Sequence, residues 1–285
     1  MSLAIQFRYG PDGTPFYLRG KGDVADGTGR IPFHGILSRG LVERMRQAAE
    51  PFAPWEAYGH LLHDRRAARS RELARWRRAA DECGVLSFAR SAACAQRYVA
   101  RYAGGRATRC ELWNVKEGHT SSVWRVRLAT DGAMEEFALN VARDRLAGEE
   151  LARTSETMHR IAEAWPDANL ARVRDIARVS LAKDAAPVVV TRNEWIADSF
   201  ELHRLPAPGE DPGPLVAVER FLADDGAPSR PRRILGRRLT GDECGQVERD
   251  VGGFLAHTAR LGARLDINDG DLVWNGQRAI VIAIR

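Results

Sequence analysis

Two aspartates near the end of the chain lie in a run that could bind a metal ion. Asp266 and Asp271 belong to the acidic sequence DINDGD, which precedes the apolar residues Leu272 and Val273. Carboxylate oxygens are the ligands that hard cations such as Mg²⁺ prefer. The spacing does not fit an EF-hand loop, which needs a glutamate at its twelfth position. An EF-hand is therefore not expected, and a plain acidic turn stays open as the alternative to a metal site.

A second run combines a glycine with hydroxyl side chains. Gly118 is followed by His119 and then by Thr120, Ser121 and Ser122 in the sequence KEGHTSSVW. Glycine lets a backbone approach a phosphate closely, and the small hydroxyl residues add N–H and O–H donors. This chemistry suits a loop that covers phosphate groups.

Hydrophobic periodicity indicates the elements that must position these residues. The runs CELWNVKE, SSVWRVRLA and EEFALNVA predict three strands after Gly105, and Asp131-Gly132 predicts the turn between the last two. A helix is expected over 146–164, then strands in LARVRDIARVS and APVVVTRNEW. Residues 206–242 are rich in Pro, Gly and Arg and receive no assignment. The sequence predicts an α+β fold from residue 106 onward.

The end of the chain predicts one more helix and a strand pair. An amphipathic pattern over 243–264 is followed by LDINDGDLVW and RAIVIAIR, two strand-like runs around Asn275-Gly276. The side chains expected to face inward from this helix are Val247, Val251, Phe254, Leu255, Thr258 and Leu261.

The N-terminal third is predicted to be a mostly helical extension. A hairpin is expected over 4–18, followed by helices over about 36–50, 55–82 and 86–102, the last ended by Gly104-Gly105. The second of these helices is rich in arginine, which is typical of a solvated face and also suits an acidic partner. No nucleic-acid-binding motif accompanies it, so a nucleic-acid partner is not expected.

The order of the elements over 106–285 resembles the protein-kinase-like fold, especially the aminoglycoside and choline phosphotransferases. The resemblance implies an antiparallel sheet lobe over 106–205 and a truncated helical lobe over 206–285, after an extension over 1–105. It implies ATP and Mg²⁺ as cofactors, with Gly118, Thr120, Ser121 and Ser122 covering the phosphates. Val190 would be an apolar wall at the adenine and Glu194 would lie in the hinge.

The same resemblance assigns roles to the catalytic positions. Asp266 falls where the family has its base, and Asp271 where a metal-binding Asn stands. The lysine that holds the α- and β-phosphates is replaced by Asn140, and the metal-binding Asp of the next strand by Ala283. Glu149, Glu150 and Glu156 are candidates for the glutamate that would pair with the lysine.

These departures imply a phosphotransferase core that is catalytically impaired. Three explanations stay open: a pseudokinase, an inactivated variant, or an active kinase in which Arg125, Arg127 or Lys116 replaces the lysine. The chain stops two residues after Ala283, as in minimal kinases that bacteria deliver into host cells, so an effector acting on a host protein is one expectation. A non-catalytic scaffold that uses the Arg-rich helix is the alternative.

The composition of the chain limits the class of protein and the cellular compartment that we expect. The 285 residues are 44% hydrophobic and 28% charged, which is ordinary for a globular chain. No apolar run is long enough to cross a membrane, and the first residues do not form a secretory signal peptide. Four scattered cysteines indicate a reducing compartment. We expect a cytoplasmic protein, or one secreted into a host cell without a conventional signal.

Overall fold

A computed structural model describes residues 5–8, 86, 88–117, 120–130, 132–204, 214–222, 233–267 and 270–284. The hairpin expected over 4–18, apart from residues 5–8, and the helices expected over 36–82 lie outside these residues. The described residues have an α+β fold, in which eleven strands form two sheets and three α-helices lie between strands in the sequence.

The helices are α1 Phe88–Ala103, α2 Arg145–Ala164 and α3 Gly241–Arg260. The strands are β1 Ile5–Arg8, β2 Ala107–Glu117, β3 Ser121–Thr130, β4 Ala133–Ala142, β5 Val173–Val179, β6 Val188–Glu194, β7 Phe200–Arg204, β8 Leu215–Leu222, β9 Arg233–Arg238, β10 Leu272–Trp274 and β11 Ala279–Val281.

The chain divides into two compact units. The first runs to Ala152 and includes Asp175–Arg192. Its sheet has the order β1-β2-β3-β4-β6-β5, in which β2, β3 and β4 pair antiparallel and β1 lies parallel to β2. The predicted run of strands between 106 and 200 is thereby confirmed, and β1 is an addition.

Helix α1 covers one face of this sheet. Side chains alternate between the two faces of a strand, and every second residue of β3 from Ser122 to Leu128 is buried. Trp124 lies at the centre of this face, and its indole Nε1–H donates a hydrogen bond of 3.1 Å to the Oγ of Ser91 in α1. The helix contributes Cys94, Ala95, Tyr98 and Val99 to the same core.

Polar contacts fasten α1 to three strands. The Tyr98 hydroxyl donates to Asp175 at 2.6 Å, and the Tyr102 hydroxyl donates to Glu135 at 2.8 Å. Arg192 donates to both Tyr102 and Glu135, at 2.9 and 3.0 Å, and its guanidinium lies 4.3 Å from the centre of the Tyr102 ring. The helix ends as predicted, because Gly104 and Gly105 both have positive φ.

The second unit is built on a sheet with the order β11-β10-β7-β8-β9. We expected a helical lobe here, and the described part holds a five-stranded sheet with α3 packed on it through Val247. Strands β8 and β9 lie within the segment that received no assignment. Their sequences, LVAVERFL and RILGRR, are interrupted by charges and a glycine, which hides the alternation of a strand.

The glycine in β9 is required by a close approach between strands. A Cβ added to Gly236 would lie 2.4 Å from the carbonyl oxygen of Ala217 and 2.8 Å from a methyl group of Val216. A side chain at this position would therefore push β9 away from β8.

Helix α3 begins with a capping box. Thr240 Oγ1 accepts from the backbone N–H of Glu243, while the Glu243 carboxylate accepts from the N–H of Thr240. The same carboxylate binds Arg237 through two hydrogen bonds of 2.7 and 2.8 Å. These bonds, led by those of Arg237, lower the pKa of Glu243 from 4.5 to about 2.

Helix α3 ends earlier than its periodicity predicted. Val247, Phe254 and Thr258 are buried as expected, but Leu261 is 47% exposed. Leu261 is the C-cap residue, and the backbone turns at Gly262, which has φ +78°. The hydrophobic spacing of the sequence continues past this turn, so it predicts a longer helix than the structure has. None of the helices in the described ranges is long and apolar enough to span a membrane.

We predict that Gly236→Ala destabilises the protein by about 1–3 kcal/mol, because the added methyl group overpacks a strand pair. The matched control is Gly252→Ala in α3, where an added Cβ meets nothing within 4 Å. The control should stabilise the protein by about 0.5–1 kcal/mol, since alanine favours a helix. Urea unfolding of both variants measures this. Equal effects of the two substitutions would contradict the assigned β8–β9 approach.

We predict that Glu243→Gln lowers the free energy of unfolding at neutral pH and has no effect near pH 2. The folded-state pKa lies below the unfolded value, so the stabilisation is present above about pH 4.5 and is lost as pH falls toward about 2. Glutamine keeps the capping hydrogen bonds, so the difference in unfolding free energy between the variant and the wild type measures the effect of the charge. Thermal unfolding from pH 2 to 7 measures it, and a pH-independent difference would rule out this role.

Candidate functional site

The face of the first sheet that lies away from α1, here called the distal face, carries several of the predicted site residues. In β3 the odd-numbered residues from Ser121 to Arg127 alternate with the buried ones and lie on this face. Val123 is paired with Asn140 across to β4, and Arg125 with Ala138. Asn140, where the resemblance expects a lysine, therefore lies beside Val123 and diagonal to Arg125. Diagonal neighbours are about 7–8 Å apart.

The distal face carries a cation that is held in place. Arg125 donates to Glu136 at 2.6 Å, and its guanidinium lies 5.6 Å from the centre of the Trp113 ring. Arg127 approaches the same carboxylate at 3.5 Å. Two guanidinium groups thus share one carboxylate, and the cluster has a net positive charge. Strand alternation in the sequence could have identified this cluster, because Trp113 and Arg125 fall on the same face of paired strands.

The predicted phosphate loop is only partly described. Gly118 lies outside the described residues, and the carbonyl oxygen of Thr120 accepts a 3.0 Å hydrogen bond from the N–H of Arg143. Ser121 lies on the distal face, whereas Ser122 is buried on the opposite face, beneath α1. The two neighbouring serines cannot both present their hydroxyls to one ligand on the distal face.

The predicted hinge residues have structural contacts. Val190 is fully buried in the core that includes α1, so its side chain is not available as an apolar wall. The adjacent Val189 packs instead with Leu151 of α2 and Ala142. Glu194 accepts from the backbone N–H of Arg172 through Oε2 at 3.1 Å, and its own N–H donates to the carbonyl of Arg172 at 2.8 Å.

The glutamates of α2 differ in their surroundings. Glu149 pairs with Arg145 at 2.8 Å on the exposed surface of the helix. Glu150 is half-buried and Glu156 is exposed. The ion pair of Glu149 is of the ordinary i,i+4 kind, which contributes only about 0.3–0.5 kcal/mol.

Asp271 and Ala283 are brought together in the second unit. The carbonyl oxygen of Asp271 accepts from the N–H of Ile282 at 2.8 Å and from that of Ala283 at 3.3 Å. Asp271 is 5% exposed, and Gly270 before it has φ +80°, a backbone conformation that glycine adopts without strain. Asp266 is exposed. The two strand-like runs predicted around Asn275-Gly276 form the antiparallel pair of β10 and β11, which brings these positions together.

The donor set at this turn does not fit a two-carboxylate Mg²⁺ site. Asp271 offers one carboxylate, and the methyl group of Ala283 cannot bind a cation. Among the described residues, which do not include Asn268 and Asp269, no three His, Cys, Asp or Glu side chains group so that they could hold a metal ion.

Models of protein families and the curated proteins give no match to this chain. The resemblance to the protein-kinase-like fold therefore depends on the residues named above and on the order of the elements.

Proposed function

We propose that the chain is a protein-kinase-like phosphotransferase core with impaired catalysis, and that the distal face of its first sheet binds ATP. The observation that carries the proposal is the register between β3 and β4. It gathers two small apolar side chains, Val123 and Ala138, beside Asn140 and the cation of Arg125 on one face.

The chemistry of this face suits a nucleotide. Val123 is half-buried and Ala138 is 9% exposed, so the two small side chains provide a low, mostly covered apolar floor against which the edge of a planar base can lie. Arg125 presents a guanidinium group, which binds phosphate oxygens through two parallel hydrogen bonds. Ser121 adds a hydroxyl at the end of β3. Glu136 holds Arg125 in the absence of a ligand and competes with phosphate for it.

Catalysis is impaired because two charged groups are replaced. Asn140 is neutral, so it cannot neutralise the α- and β-phosphates, and Ala283 cannot hold a metal ion. Phosphoryl transfer depends on positioning and on charge stabilisation at the phosphates. Removing one such donor typically costs about 2.7–4 kcal/mol of transition-state stabilisation. Asp266 would still be able to accept the substrate proton, as the base does in the family.

We predict that ATP raises the melting temperature of the full-length protein, and that Val123→Glu abolishes this effect by placing a charged side chain on the apolar floor where the base lies. Ligand at a hundredfold excess over Kd stabilises the folded state by about 2.7 kcal/mol. The matched control is Ala129→Glu, on the same strand and the same face about 20 Å away. Differential scanning fluorimetry with and without ATP and Mg²⁺ measures both.

Arg125→Gln should also weaken the stabilisation by ATP, whereas Arg127→Gln should leave it nearly unchanged. Equal loss in both arginine variants would indicate a general charge effect. No response to ATP in the wild-type protein would remove the nucleotide proposal and favour the scaffold alternative.

We predict that restoring Asn140→Lys and Ala283→Asp together produces Mg²⁺-dependent transfer of the γ-phosphate. The lysine supplies a point charge for the phosphates, and the aspartate supplies a carboxylate next to Asp271. Asp266→Ala in the restored background should abolish the gain, because the base is then missing. Incorporation of radiolabelled phosphate is measured for the starting protein, the doubly restored variant and its Asp266→Ala derivative. A restored variant that binds no nucleotide would contradict the kinase-like assignment.

A further inference from the structure

Helix α1, on the opposite side of the first sheet from the distal face, carries positive charge and no negative charge. Its sequence, FARSAACAQRYVARYA, contains three arginines and no aspartate or glutamate. Helix α2 has four glutamates against three arginines, and α3 has four acidic residues against two arginines. The charge of α1 is therefore specific to this helix and does not follow from the arginine-rich composition of the chain.

The three arginines form one stripe along the exposed side of α1. At 3.6 residues per turn, Arg90, Arg97 and Arg101 lie within an arc of about 40° and over about 16 Å of the helix axis. All three are exposed, and the exposed side between them carries the neutral residues Gln96 and Ala100. This arginine stripe is a straight row of positive charge.

Carboxylates of the described ranges do not neutralise the stripe at Arg97 or Arg101, neither of which forms an ion pair there. Arg97 donates to the carbonyl oxygen of Leu181 at 2.8 Å, which uses one of its five N–H groups. The carboxylates of Asp175 and Glu135 contact α1, but they accept from its tyrosine hydroxyls, which attach the helix to the sheet. The guanidinium groups of the stripe therefore keep donors for an external anion.

The exposed side of α1 lacks the groups that a lipid surface or a single-stranded nucleic acid would need. Helices that bind membrane interfaces present large apolar side chains, and proteins bind single strands by stacking the bases on aromatic rings. Both tyrosines of α1 face the sheet, since Tyr98 is 1% exposed and the Tyr102 ring lies 5.6 Å from that of Phe137. The small side chains of Ala93 and Ala100 instead allow a regular array of phosphates to approach closely.

We propose that the arginine stripe binds the phosphate backbone of duplex DNA. A duplex carries one negative charge per about 1.7 Å of its axis, so roughly ten phosphates lie along the length of the stripe. Guanidinium groups bind phosphate oxygens through paired hydrogen bonds. The major groove of B-DNA is wide enough for one side of an α-helix, whereas that of an RNA duplex is too narrow. Because the sequence has no nucleic-acid-binding motif, the contact is independent of base sequence.

The test measures fluorescence anisotropy of a labelled DNA duplex with the full-length protein at several salt concentrations. Loss of three phosphate contacts reduces the slope of log K against log salt concentration by about 2.7. We expect this change when Arg90→Gln, Arg97→Gln and Arg101→Gln are combined. A fourfold rise in salt should then weaken the wild type about 40-fold more than the variant.

The matched control removes three exposed arginines from the other two helices and so lowers the net charge by the same amount. It combines Arg153→Gln and Arg160→Gln in α2 with Arg249→Gln in α3. We expect this variant to keep the wild-type salt slope. Equal changes of slope in the two triple variants, or no change in the α1 variant, overturn the proposal.

A lysine variant separates the charge of the stripe from the folding of α1. Lysine at positions 90, 97 and 101 keeps three point charges and should keep the salt slope of the wild type. A slope as shallow as that of the glutamine variant overturns the proposal.

Other polyanions test the choice of partner. The probes are duplex RNA, poly-L-glutamate and vesicles that contain phosphatidylserine. We expect the glutamine substitutions in α1 to weaken binding of DNA at least tenfold more than binding of each of these probes. An equal loss for any one of them overturns the assignment to DNA.

Discussion

The burial of Trp124 beneath α1 determines which side chains the first sheet presents on its distal face. The indole is almost completely buried, and its N–H is bonded to Ser91, so β3 has one possible register. A slip by one residue would exchange the two faces along the whole strand. Exposing an aromatic core residue in this way costs several kcal/mol, since its removal alone typically costs about 3–5 kcal/mol. Val123 and Arg125 therefore face away from α1, on the side where the nucleotide is proposed to bind.

The elements with strong periodicity could be predicted from the sequence, and those whose pattern is interrupted could not. Strands β2 to β4 and helix α2 have clean alternation or helical spacing, and Asp131-Gly132 marks a turn between them. Strands β8 and β9 were not predicted, because charged residues and a glycine interrupt their alternation. The glycine, Gly236, is required by the close approach of β9 to β8, which can be seen only in the paired strands. The end of α3 was missed for a similar reason: Leu261 continues the spacing of the helix although the backbone has already turned.

The strands that carry the candidate site residues could be predicted from the sequence, but the face of the strand on which each side chain lies could not. The sequence predicted the strand that contains Asn140 and the two strand-like runs that form β10 and β11. It could not separate Ser121 from Ser122, or Val189 from Val190, because neighbouring residues of a strand differ only in the face they occupy. The burial pattern assigns Ser122 to the buried face of β3 and Val190 to the core with α1.

The most direct test follows methyl and backbone resonances on the two faces of the same strands while ATP is added to the full-length protein. The account predicts concentration-dependent shifts at Val123 and Ala138 on the distal face, with little change at Val126 and Leu139, which are buried beneath α1. Absence of shifts at Val123 and Ala138 while the protein is saturated with ATP, or larger shifts at Val126 and Leu139, would contradict it.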